Sequence, residues 1–117
     1  MNSKELLEFT RETLDDLKAR DIVVLDVAEM TTVADYIVVA SGTSGRHVSS
    51  VADRLVAAAK EAGVRPLGVE GKDGGEWVLI DLQDIIVHVM QPAVREFYKL
   101  EDLWSVRPST AADNPVA

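Results

Sequence analysis

Leu6, Leu7, Leu14 and Leu17 recur at helical spacing on one side of the segment Leu6 to Leu17. Asn2 or Ser3 is placed to cap that helix, and acids lie in its first turn. Two β-branched runs follow, IVVLDV at 22–27 and YIVVA at 36–40, parted by a polar stretch around 29–34 and flanked by Asp26 and Asp35. They predict two strands. After SGTSGR, the stripe Val48, Val51, Leu55, Ala58, Ala59 and Ala62 predicts a second helix, with Ser44 as N-cap and Gly63 at its end. A short strand is expected from Arg65 to Glu70, then a flexible turn at 71–75, then a hairpin of WVLID and IIVHVM. VREFYKLEDLW starts a last helix after Pro92.

The order α-β-β-α-β-β-β-α predicts an α/β fold, a mixed sheet of about five strands flanked by helices. IVVLDV, apolar on both faces, is expected near the centre of that sheet. One domain is expected over 1–105, with the small, polar, Pro-containing residues 106–117 as a disordered tail.

The hairpin yields the most informative inference. A two- or four-residue loop centred on Leu82 and Gln83 sets Asp81 opposite Asp84, Leu79 opposite Ile86 and Trp77 opposite His88, all on one face with Met90. The other face holds Val78, Ile80, Ile85, Val87 and Val89, an unbroken apolar set that must be the better-buried side. The mixed face is then either covered by a helix or offered to a partner. Trp77 on it is a partly buried core aromatic or an interface anchor.

Composition narrows the chemistry. The 117 residues contain no Cys and only two His, 41 positions apart, which excludes thiol chemistry and the usual zinc frameworks. Twelve basic against twenty acidic residues give a net charge of -8, so nucleic acid is repelled at long range and a basic protein surface is attracted. The N-terminus lacks the basic segment and apolar run of a signal peptide, and no stretch is long and apolar enough to span a membrane. A cytoplasmic location is expected.

Other candidates carry weaker signals. SGTSGR could cradle an anion at a helix N-terminus, with Arg46 and His47 adding positive charge, but it has no Walker Lys and no three-glycine dinucleotide pattern. Its other reading is a tight strand-to-helix connection with a Ser cap. His88 on an apolar strand reads as a structural histidine, since no Ser or Cys nucleophile is fixed near it by spacing. Asp81 with Asp84 could hold Mg²⁺, although two like charges facing across a hairpin are unfavourable unless solvated. Asp26 and Asp35, each beside an apolar strand, serve either chemistry or backbone hydrogen bonding.

DLKARDIVVLDV, the pair Asp35 and Tyr36, SGTSGRHV, PLGVEGKDGGEWVLIDLQDIIVHVM and REFYKLEDLW, in this order, closely resemble the ribosomal silencing factor (RsfS, Iojap-like) family over about Leu6 to Trp104. The resemblance implies a fold similar to the nucleotidyltransferase core. It also implies a non-enzymatic factor that binds the large ribosomal subunit through a protein of its inter-subunit face, blocks subunit joining and represses translation under nutrient limitation. No cofactor or metal is expected, and self-association off the ribosome is. Partner-binding residues carried over are Trp77 with its face-mates Leu79, His88 and Met90, Lys72 in the preceding turn, and Arg95 and Tyr98 in the last helix, with Trp104 downstream. The alternative is a nucleotide-binding or nucleotidyltransferase-like enzyme. Against it, SGTSG is followed by Asp53 alone, with Leu55 where a second metal-binding carboxylate belongs.

Overall fold

The computed structural model describes residues 1–71 and 73–99. Helix α1, Ser3–Asp16, opens with a reciprocal capping box. The Asn2 side chain accepts from the Glu5 N–H at 2.8 Å, and the Glu5 carboxylate accepts from the Asn2 N–H at 3.0 Å. Leu6, Thr10 and Leu14 form its buried stripe, and the Thr10 hydroxyl is satisfied by donating to the Leu6 carbonyl at 2.7 Å. Helix α2, Gly45–Glu61, is capped by Ser44 as its sequence predicts, and Gly63 leaves it with φ 85.

Five strands, β1 Arg20–Asp26, β2 Tyr36–Ser41, β3 Gly68–Glu70, β4 Trp77–Asp81 and β5 Ile85–Met90, form one sheet in the order β1-β2-β5-β4-β3. β2 and β5 pair in parallel, and the other neighbours are antiparallel. The expected α/β architecture, a five-stranded mixed sheet flanked by helices, is therefore the observed one. IVVLDV is not central, however. It lies in the edge strand β1, whose Ile22, Val23 and Val24 are only half-buried, while β2 and β5 supply the fully enclosed centre. The expected strand from Arg65 begins only at Gly68, because Pro66 has no N–H to give a ladder.

The hairpin keeps the expected faces but not the expected partners. Trp77 pairs with Met90, Leu79 with His88 and Asp81 with Ile86, so each partner lies two residues further on than a centre at Leu82 and Gln83 would set it. The Leu82 N–H donates to the Ile85 carbonyl at 2.8 Å, so the turn is Gln83–Asp84, with Gln83 at φ 78. A shift of two preserves side-chain parity. On one face Val78, Ile80, Val87 and Val89 meet Leu6 and Leu14 of α1 and Val48, Val51, Leu55 and Ala59 of α2 in the main core. A second, smaller cluster on the other face joins Leu25, Val27, Ile37, Val39 and Met90, with Val94 of the short helix α3, Pro92–Tyr98, packed against it.

The turn before β4 depends on Gly71. Its φ is 84, and a Cβ there would collide with the Trp77 carbonyl oxygen. Gly63 has a similar φ of 85, but open space around it. Gly63→Ala should therefore cost about 1 kcal/mol, the strain of the left-handed backbone alone, and Gly71→Ala at least about 2 kcal/mol. Urea unfolding of the two variants side by side measures the difference.

Candidate functional site

Both helices α1 and α2 pack on the Val87 face, and among the described residues α3 is the helix that packs on the opposite face. That helix has no fully buried residue. It is held by Val94 against the small cluster and by Arg95, whose Nη1 donates to the buried Ser41 hydroxyl at 2.9 Å. Pro at its first turn sets its start, and Lys99, at φ 47, ends it in a left-handed cap.

Between α3 and the sheet sits an aromatic group. The Trp77 indole N–H donates to His88 Nδ1 at 2.9 Å, from the neighbouring strand. The ring of Tyr98 lies against the same indole, with centroids 4.9 Å apart and planes at 48°, and Phe97 meets Tyr98 edge-on at 5.0 Å. Trp77 and Leu79 are half-buried, Tyr98 is 55% exposed and Phe97 78% exposed. Glu70, Gly71, Trp77 and Leu79 line a shallow apolar cleft beside this patch.

Among the residues expected to bind a partner, Trp77, Leu79 and Tyr98 thus come together at the surface. Met90 is fully buried and His88 only 7% exposed, so both form the floor of the patch rather than its surface. Arg95 is half-buried and tethers α3. Lys72, Trp104 and the segment 106–117 lie outside the described residues. Phe97 was not singled out from the sequence. The signal was present, because two consecutive aromatics on a seven-residue helix cannot both face inward.

Burial decides the chemistry of His88. The indole N–H is a donor only, so Nδ1 must be an unprotonated acceptor and the ring proton sits on Nε2. Removal from water lowers its pKa from 6.5 to about 4. This is a structural histidine, as its apolar strand suggested, and it is kept neutral.

The groups that an enzyme would need lie apart. SGTSGR follows the C-terminal end of β2, whereas Asp84 accepts the backbone N–H of Tyr36 at the N-terminal end, about 15 Å away along the strand. Asp81 accepts from the Gln83 N–H at 2.9 Å, and the Asp84 and Asp35 carboxylates share the Ser3 hydroxyl. Asp81 and Asp84 do not face each other across the ladder, since Asp81 pairs with Ile86. Leu55 is fully buried in the core. His47 is likewise committed, accepting from the Thr43 N–H at 2.9 Å and donating to the Leu17 carbonyl at 2.9 Å, which joins the end of α1 to the start of α2. No group of three or more metal-ligating side chains occurs among the described residues.

Residues 1–116 match the family model described as ribosomal silencing factor during starvation. The chain belongs to the ribosomal silencing factor family. It is 43% identical over 112 residues to the ribosomal silencing factor RsfS of Chromobacterium violaceum, covering 95% of this chain and 92% of that protein. A crystal structure of a Chromobacterium violaceum protein superposes with a TM-score of 0.88 at 41% identity, covering 94% of this chain and 92% of that one. Mouse "mitochondrial assembly of ribosomal large subunit protein 1" is 39% identical over 92 residues, which are 76% of this chain and 40% of that protein. In this member of the RsfS family the string W-x-L-I-D with D-x-I-V-H-V-M is therefore a pair of adjacent strands, and its Trp and His are hydrogen-bonded to each other.

The lowered pKa of His88 makes stability depend on pH with a definite sign. Between pH 6.5 and about 4 the unfolded chain binds a proton there that the folded chain does not, so stability falls as pH falls through that window. The contribution is complete above pH 6.5 and lost below about 4, a span of about 3 kcal/mol. Urea unfolding at pH 5 and pH 7 should show about 2 kcal/mol of this dependence disappearing in His88→Asn.

Proposed function

We propose that this chain docks on the large ribosomal subunit through a basic protein of the inter-subunit face, prevents joining of the small subunit and so represses translation when nutrients are limiting. The observation that carries the reading is the Trp77–Tyr98 patch, presented on the less covered face of a sheet in a member of this family. Exposed aromatics beside a half-buried aliphatic such as Leu79 are the composition of an interface core. A net charge of -8 favours a basic protein over ribosomal RNA and speeds the encounter. The name of the mouse relative refers to the large subunit as well. Trp77, Leu79 and Tyr98 would make the contacts, with Arg95 at their border and His88 and Met90 beneath them; Lys72, implied by the family resemblance, is a further candidate contact.

The reading is of a cytoplasmic regulator with no catalytic step and no cofactor. Its support is the separation of the SGTSGR loop from Asp81 and Asp84 by the length of β2. No helix of the described residues is long and apolar enough to cross a membrane. Off the ribosome, a second copy would take the same aromatic patch, so self-association and docking would compete.

Co-sedimentation tests this directly. The chain should travel with isolated large subunits and not with small subunits, and should lower the yield of joined ribosomes as its occupancy rises. An unchanged profile at several-fold excess of the chain removes the proposal. Tyr98→Ala should weaken binding by about 2 kcal/mol while changing unfolding free energy by less than about 0.5 kcal/mol. Val87→Ala, at a fully buried position, should do the reverse, costing about 2 kcal/mol of stability with normal binding of the folded fraction. Incubation with nucleoside triphosphates and Mg²⁺ or Mn²⁺ should release no pyrophosphate.

A further inference from the structure

An indole on a partly open sheet face has two ways to lie, flat along the sheet or turned out, and side-chain packing alone rarely fixes one of them. On the β5 side Trp77 pairs with the apolar Met90 and has His88 diagonally across the ladder. His88 is enclosed, accepts the indole N–H at 2.9 Å and lies with its ring 5.9 Å from the indole, at 52°. The imidazole is enclosed, on a strand paired on both sides with Leu79 and Val39. The same indole also meets the Tyr98 ring, with centroids 4.9 Å apart. The orientation of Trp77 therefore sets the surface that the Tyr98 ring packs on.

We propose that His88 is a positioning residue: by accepting the indole N–H at Nδ1 it locks Trp77 in the one orientation that Tyr98 packs against, and so sets the shape of the partner-binding patch without touching the partner. This rests on the proposed docking surface for its consequence, but the positioning itself is a property of the free chain. The side-chain oxygen of Asn occupies nearly the place of His Nδ1 and can only accept, so Asn at 88 preserves the bond, whereas Leu fills the space and deletes the acceptor. A residue serving only to fill the core would give the opposite order.

The test uses the full chain with ¹⁵N-labelled indole, wild type against His88→Asn and His88→Leu, with Trp104→Phe serving only to assign the two indole N–H resonances. Wild type and His88→Asn should each show the Trp77 resonance sharp and protected from exchange with solvent. In His88→Leu it should shift upfield and exchange rapidly. Binding to isolated large subunits should fall about tenfold in His88→Leu and less than threefold in His88→Asn, the scale of one net hydrogen bond. In a Trp77→Phe background, which has no indole N–H, His88→Leu should cause no further loss. An unmoved, protected Trp77 resonance in His88→Leu overturns the inference, as does equal loss of binding in the Asn and Leu variants. If His88→Leu does not fold, Trp77→Phe alone must reproduce the tenfold loss, and full binding by it overturns the inference. Should wild type fail to bind subunits, the docking proposal falls, and the resonance still decides the role of His88.

Discussion

Parallel pairing of β2 with β5 is the constraint on which the rest of the molecule depends. Two adjacent parallel strands cannot be joined by a tight turn, so the 43 residues between Ser41 and Ile85 must travel back along the sheet. Helix α2 makes that return on one face, and α1 packs beside it on the same face. Of the other described elements, β3 and β4 lie on the other side of β5 and the short α3 packs on the other face. Among the described residues, one face is covered by two long helices and the other by one short helix. The latter face carries the aromatic group.

The same pairing sorts the polar chemistry of the chain. It brings the SGTSGR loop and the start of α3 to one end of the sheet, where Gly42 N–H donates to the Met90 carbonyl at 2.9 Å. Asp35, Asp81 and Asp84 collect at the opposite end. In a primary sequence these groups can be imagined in one phosphate-and-metal site. The strand length keeps them apart, and each is absorbed locally: Ser44 caps α2, His47 ties two helix ends, Asp81 supports its turn.

Much of this was legible before any coordinates. Period-3.6 and period-2 patterns marked α1, α2 and the strands, because each element buries one face, and the cap residues Asn2, Ser44 and Gly63 marked the ends. The faces of the hairpin could be read from parity, which survives any shift by two. Its register could not, since a turn with Gln83 at φ 78 carries no Asn-Gly or Gly signature to locate it. IVVLDV misled because β-branched residues favour an edge as readily as a centre, and only its pairing with β2 alone reveals the edge. The bond from Trp77 to His88 was out of reach for a simpler reason. Side-chain contacts diagonal to the ladder depend on rotamers, which sequence spacing does not encode.

The two halves of the aromatic patch differ in how firmly they are held. Trp77 belongs to a strand bonded on both sides and is anchored to an enclosed imidazole. Tyr98 and Phe97 belong to a seven-residue helix with no fully buried residue, whose contacts with the sheet include Val94, the Arg95 bond to Ser41 and the Tyr98 ring on Trp77. Local unfolding free energy follows buried contact, so α3 is held less firmly than the central strands. A partner closing over the patch would bury the exposed rings while ordering only this last short helix, which keeps the entropic cost of docking small. The rigid strand then fixes where a partner binds, and the loosely held helix allows the rings to adjust to it.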